Sequence, residues 1–195
     1  MAAKLKDPSL QTRLVNANHV VSLLMFDNKP WEDVIAIKSG SDWQENIDRP
    51  YRTDQAKTVS IDDAINKALE YRIKIGNPGE KDVLLLITDS LYQSNNSQTL
   101  IDKAHNQGVA IFVIAIATPD DPNPSVDKFK KMADGTGGFV WSNPIGEYDS
   151  TAVNFSNYLD EFLNVIDQAQ LVEINLQGVK FNEDHPKLNL SVKTD

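Results

Sequence analysis

The feature that most constrains the fold is the stretch KDVLLLITDS, residues 81–90. Its apolar run extends from Val83 through Ile87 to the edge of Thr88 and ends at Asp89. A run this short and apolar on both faces is typical of a strand buried between two layers in a parallel sheet. Open α/β sheets bind ligands at the carboxyl ends of their strands. Asp89 is therefore the first candidate functional residue, and the alternative is that Asp89 or Ser90 only caps the next helix.

Similar runs recur along the chain and alternate with amphipathic stretches. The patterns predict strands at 20–26, 34–37, 83–87, 109–117 and 137–141, and helices at 4–18, 60–73, 95–107, 126–133 and 154–168. Residues 39–57 are polar and are interpreted as a long loop with about one helical turn. This order predicts an α/β fold with a doubly wound, mostly parallel sheet and helices on both faces.

The C-terminal residues do not follow this order. Apolar and polar residues alternate from Val172 to Leu176 and again from Leu188 to Val192, which indicates solvent-facing antiparallel strands. We therefore expect one domain at 1–168 and a β-rich appendage, a hairpin or the start of a further module, at 169–195.

Charge and composition exclude several classes of partner. The 195 residues carry a formal net charge of -9, and the sequence has no basic patch of the kind that nucleic acid or an anionic membrane surface requires. The absence of cysteine excludes disulfides, thiolate metal sites and a cysteine nucleophile. No apolar stretch approaches the length of a membrane span, and the first residues do not resemble a signal peptide. We expect no membrane insertion, and a surface or secreted module of a longer protein is favoured over a cytoplasmic one.

The succession of elements resembles a von Willebrand factor type A domain. The resemblance covers about residues 10–167 and is carried by the segments VVSLLMFDNKPWEDVIAI, SIDDAINKALEY, DVLLLITDS, AHNQGVAIFVIAIA, FKKMADGTGGFVW and YLDEFLNVI. It implies a protein-binding or adhesion domain with a metal-ion-dependent adhesion site on the upper rim of the sheet. Magnesium, or another hard cation with oxygen ligands, occupies such a site.

This sequence keeps only part of that site. Asp89 matches the aspartate of the family's Thr-Asp-Gly motif, with Ser90 in place of glycine. The family's threonine falls on Val59 and leaves Thr58 one residue away. No Asp-x-Ser-x-Ser motif occurs in the chain, so the resemblance predicts an incomplete site with Asp89 and Thr58 as its metal ligands.

The strand that precedes the first helix in the family is also not evident. It lies in mid-sheet there, so its loss would leave the strands at 20–26 and 83–87 with edges facing each other. Three explanations stay open. The chain is a fragment, the C-terminal segment from Leu171 to Leu176 fills the position, or another polypeptide donates a strand.

Enzyme interpretations find little support in the sequence. His19, His105 and His185 are not spaced as a metal pair or as part of a Ser-His-Asp arrangement. The glycines at 135–138 lie between a helix and a strand, the reverse of the order in a phosphate-binding loop. There is also no nucleophile elbow.

The leading hypothesis is a non-enzymatic protein-binding module with a degenerate metal site and no cofactor. Its partner-binding rim is predicted to contain the side chains of Asp27, Asp89, Ser90, Tyr92 and Asp120, with Tyr92 exposed. The alternative is an adhesion domain that binds Mg²⁺ or Ca²⁺ weakly through Asp89. A hydrolase of similar architecture ranks below both.

Overall fold

A computed structural model describes the alternating helices and strands of the chain. The described residues are 7–16, 21–24, 26, 35–37, 40–47, 61–75, 82–88, 92, 97–116, 126–142 and 151–168. The helices are α1 (Pro8–Asn16), α2 (Gly40–Ile47), α3 (Ile61–Ile75), α4 (Ser97–Asn106), α5 (Val126–Thr136) and α6 (Thr151–Gln168). The strands are β1 (Val21–Leu23), β2 (Ile35–Ile37), β3 (Asp82–Thr88), β4 (Val109–Ala115) and β5 (Val140–Ser142).

The strands form two sheets within the described residues. β3, β4 and β5 make a parallel sheet in that spatial order, with Asp82 opposite Val109 and Thr88 opposite Ala115. β1 and β2 form an antiparallel hairpin, with Val21 opposite Ile37. No strand pairing among the described residues joins the two sheets.

Two apolar clusters cover the two faces of the parallel sheet. On one face, α3, α4 and α5 contribute buried side chains such as Ile65, Ile101 and Phe129. On the other face, α6 contributes Phe155 and Phe162, and the buried side chains of α1, α2 and β2 join them. The predicted doubly wound architecture, with helices on both faces of a parallel sheet, is therefore confirmed.

The local sequence explains where several helices begin. Asp7 precedes α1, and its Oδ1 accepts a hydrogen bond from the backbone N–H of Ser9 at 2.8 Å, while Pro8 takes the first helical position, where no N–H is needed. Asp62 and Asp63 lie in the first turn of α3, where negative charge is favoured by the helix dipole.

Most predicted elements agree with the structure to within a few residues, and one does not. The segment from 39 to 57 was expected to be a loop with about one helical turn, but α2 spans eight residues. Burial of the Trp43 side chain against the α6 face explains the difference, because tertiary packing stabilises a helix whose sequence alone is a weak signal. The appendage predicted at 169–195 lies outside the described residues.

Candidate functional site

The parallel register brings the carboxyl ends of neighbouring strands to one edge of the sheet. Thr88 and Ala115 are the last residues of β3 and β4 and lie opposite each other. The backbone N–H of Ile116 donates to the carbonyl of Thr88 at 2.8 Å. Thr88 is buried, so this edge is fixed by the core up to the residue that precedes Asp89. The chain therefore leaves β3 and β4 at the edge where open α/β folds bind their ligands.

The structure describes one of the six predicted site residues. Asp27, Thr58, Asp89, Ser90 and Asp120 lie outside the described residues, so their roles stay predictions. Tyr92 is described, and it shows how the chain returns to the core after this edge.

The prediction that Tyr92 is exposed at the rim is wrong. Its side chain is 1% exposed, and its ring stacks on that of Phe129 in α5, with centroids 5.1 Å apart and planes inclined by 9°. An aromatic ring placed against a helix buries more apolar surface than it would in a loop. Tyr92 therefore anchors the segment after β3 to α5, and its ring is not available to a partner.

This anchoring role was missed because the residue that receives Tyr92 is distant in sequence. Phe129 lies 37 positions further on, in the helix Val126–Thr136. The local sequence shows only that Tyr92 is a large aromatic residue three positions after Asp89. Such a residue is equally consistent with a surface contact and with a buried anchor.

The described residues do not supply a metal centre. Among them, no group of three or more histidine, aspartate or glutamate side chains lies close enough to hold an ion. His105 is exposed near the end of α4. The side-chain donors that the described part of the chain offers therefore do not replace the missing Asp-x-Ser-x-Ser motif.

The opposite border of the parallel sheet is held to α6 by polar contacts. The indole N–H of Trp141 donates to Glu161 Oε2 at 2.6 Å, and the hydroxyl of Tyr158 donates to the carbonyl of Ser142 at 2.8 Å. Together they fix the end of β5, the third strand whose carboxyl end reaches the edge described above.

The class defined by these features is a doubly wound α/β domain whose candidate binding edge lies at the carboxyl ends of parallel strands. The model of the von Willebrand factor type A domain family matches residues 11–144. The chain belongs to this family of protein-interaction modules.

Solved structures show the same fold at low sequence identity. BatB from Bacteroides thetaiotaomicron is 15% identical, with a TM-score of 0.57 over 82% of this chain and 88% of that one. An aerotolerance-related membrane protein from Bacteroides fragilis is 13% identical, with a TM-score of 0.57 over 84% and 88%. The VWA domain of SpRpn10 is 18% identical, with a TM-score of 0.55 over 76% and 79%.

A comparison with curated proteins gave no match. Among the helices of the described residues, none combines the length and the apolar character needed to cross a bilayer.

Proposed function

We propose that this domain binds another protein through the edge formed after β3 and β4, without catalysing a reaction and without a firmly bound cation. The observation that carries the proposal is the shared carboxyl edge at Thr88 and Ala115, fixed by the register and by the Ile116 hydrogen bond. Family membership supports an interaction role. The incomplete motif supports a degenerate metal site.

Tyr92 supports the proposal as a buried anchor of the segment after β3, and not as the exposed contact that the sequence predicted. Because its ring is stacked on Phe129, the segment that contains Asp89 and Ser90 is tied to the core at both ends, at Thr88 and at Tyr92. A binding segment whose two ends are held by the core loses less conformational freedom when a partner binds than one with free ends.

Loss of the cation changes the kind of partner that the edge attracts. In a complete adhesion site, the ion's open coordination position accepts a carboxylate of the partner. Without an ion, Asp27, Asp89 and Asp120 would present negative charge directly, on a chain whose net charge is -9. The partner is then a protein surface with lysine or arginine side chains, because complementary charge favours encounter and orientation. We place the domain on a surface or secreted protein.

Thermal melting in Mg²⁺, in Ca²⁺ and in chelator tests the metal-free proposal. The expected melting temperature is the same in all three conditions, for the wild-type chain and for Asp89→Ala. A ligand that binds only the folded state raises the melting temperature by mass action. A rise of several degrees with metal that disappears in Asp89→Ala would favour the cation-dependent alternative.

Asp82→Ala is the matched control for that experiment. Asp82 begins the same strand that Thr88 ends, about 20 Å away at roughly 3.3 Å per residue. Loss of this carboxylate should leave any response to metal unchanged, so a response lost in both variants would reflect general destabilisation.

A further inference from the structure

The border strand β3 has an unbroken run of five apolar residues, Val83 to Ile87, but it is much less buried than its neighbour β4. Side chains of β4 are buried at six of its seven positions, whereas side chains of β3 are buried only at Leu86 and Thr88. Val83 is 45% exposed. Within the described residues β3 pairs with β4 alone, and a border strand presents one row of backbone groups to whatever lies beside it.

Both faces of β3 take part in the two apolar clusters. Leu84 and Leu86 belong to the cluster covered by α3, α4 and α5, and Leu85 and Ile87 belong to the cluster on the α6 side. A strand added beside β3 would extend both clusters and cover Val83. Within the part of the chain that the structure describes, β3 has the apolar pattern of a mid-sheet strand but one paired neighbour.

We propose that residues 171–176 of this chain, LVEINL, occupy the open edge of β3 as a parallel strand. This interaction surface is independent of the rim proposed above. The segment begins three residues after α6 ends at Gln168, and connections of two to six residues between a helix and a strand are usual in α/β units.

The direction of α6 suits a parallel strand at this place. β5 ends at the carboxyl edge of the sheet, and α6 then runs back, since Tyr158 contacts Ser142 at that edge while Phe162 packs on Phe112, three residues before the end of β4. A following strand would run parallel to β3, which is the usual β-α-β arrangement. Covalent attachment also gives the segment a high effective concentration at the sheet.

Cysteine cross-linking in the full chain tests the proposal, because the natural sequence contains no cysteine. Val83→Cys is combined in turn with a cysteine at each position from 171 to 176, and the pairs are oxidised at low protein concentration. Disulfides need Cα atoms about 4.4–6.8 Å apart, and side chains alternate along a strand. We expect an intramolecular disulfide in more than half of the molecules at one or two positions, with poor closure at the positions between them.

Phe139→Cys is the matched control. Phe139 is an exposed apolar residue, 56% exposed, that directly precedes β5 at the opposite border of the parallel sheet. It should close no disulfide with positions 171–176. Equal cross-linking of Val83→Cys and Phe139→Cys, or no cross-linking of Val83→Cys at any position, would overturn the proposal.

Two further measurements show whether the added strand comes from the same chain and whether it is paired with β3. Disulfides that join only two copies of the chain would overturn the intramolecular arrangement. Ile174→Pro, added to the best-closing pair, should slow closure at least tenfold, because proline removes a backbone donor from the strand. Closure at the original rate would show a flexible segment near β3 and would also overturn the proposal.

Discussion

β3 and β4 are both seven residues long and both carry a continuous apolar run, but their environments differ. β4 lies between two strands and has helices on both faces, and Val113, Ile114 and Ala115 are fully buried. β3 has one described neighbour, and Val83 is almost half exposed. The comparison shows that the apolar pattern of a strand sets an upper limit on the apolar surface it can bury. The neighbouring strands and helices determine how much of that surface is buried.

The largest loss of stability is expected for Tyr92, and it shows whether the segment after β3 is anchored as firmly as β4. Tyr92→Ala should lower the free energy of unfolding by about 3–5 kcal/mol, because it removes a fully buried ring and leaves a cavity. Tyr92→Phe keeps the ring stacked on Phe129 and should cost much less. Urea denaturation of the two variants measures both values, and a cost below about 1 kcal/mol for Tyr92→Ala would show that this segment is loosely attached.

The next effect concerns the close contact between β4 and the residues before β5. A Cβ at Gly138 would lie 1.9 Å from the carbonyl oxygen of Ile111, so Gly138→Ala must shift the backbone and should cost about 3 kcal/mol. Gly108→Ala is the control. Its Cβ would have no neighbour within 4 Å, but φ is +68°, so we expect a cost of about 1–2 kcal/mol. Similar losses of unfolding free energy for Gly138→Ala and Gly108→Ala, measured by urea denaturation, would contradict tight packing between Gly138 and Ile111.

A matched valine pair tests the difference between β3 and β4 directly. Val113→Ala should cost about 2–3 kcal/mol, from two lost methyl groups and the cavity that they leave. Val83→Ala removes the same groups from a border position that the strand proposed at residues 171–176 covers, and should cost about 1–2 kcal/mol. A loss below about 0.5 kcal/mol for Val83→Ala in urea denaturation would mean that Val83 stays exposed in solution, and it would count against a strand beside β3.

The smallest effect concerns the contact between α1 and α6 on the outer surface. Arg13 forms an ion pair with Asp167 at 2.6 Å and donates to Asn164 at 3.1 Å. Because the pair is about one third exposed, Arg13→Ala should cost less than about 1 kcal/mol. If Arg13→Ala loses less unfolding free energy in high salt than in low salt, the ion pair contributes to stability. A loss above about 2 kcal/mol would give this contact a larger structural role than a surface ion pair has.

Periodicity identified the elements with the strongest apolar patterns and, through their order, the family. The runs at Val83 and Val109 were sufficient to place two parallel strands, and the helix that begins at Ile61 was recognised from its acidic first turn. α2 was not predicted, because its stability depends on burial of Trp43 among residues distant in sequence.

The candidate site was less predictable than the fold. The position of Asp89 follows from the end of a strand, but the environment of Tyr92 depends on Phe129, which no local pattern indicates. The family resemblance predicted a missing strand beside β3, and within the described residues β3 pairs with β4 alone. Which segment covers it could not be read from periodicity, because backbone pairing carries little sequence information.

Hydrogen exchange of the β3 and β4 amides in the full chain and in Ile174→Pro tests whether residues 171–176 complete the sheet. A sheet completed by residues 171–176 predicts that both strands are protected in the full chain. It also predicts that Ile174→Pro speeds exchange in residues 82–88 at least tenfold while residues 109–115 stay protected. Unchanged protection of residues 82–88 in Ile174→Pro, or equal loss in both strands, would contradict a sheet completed by the chain's own C-terminal segment.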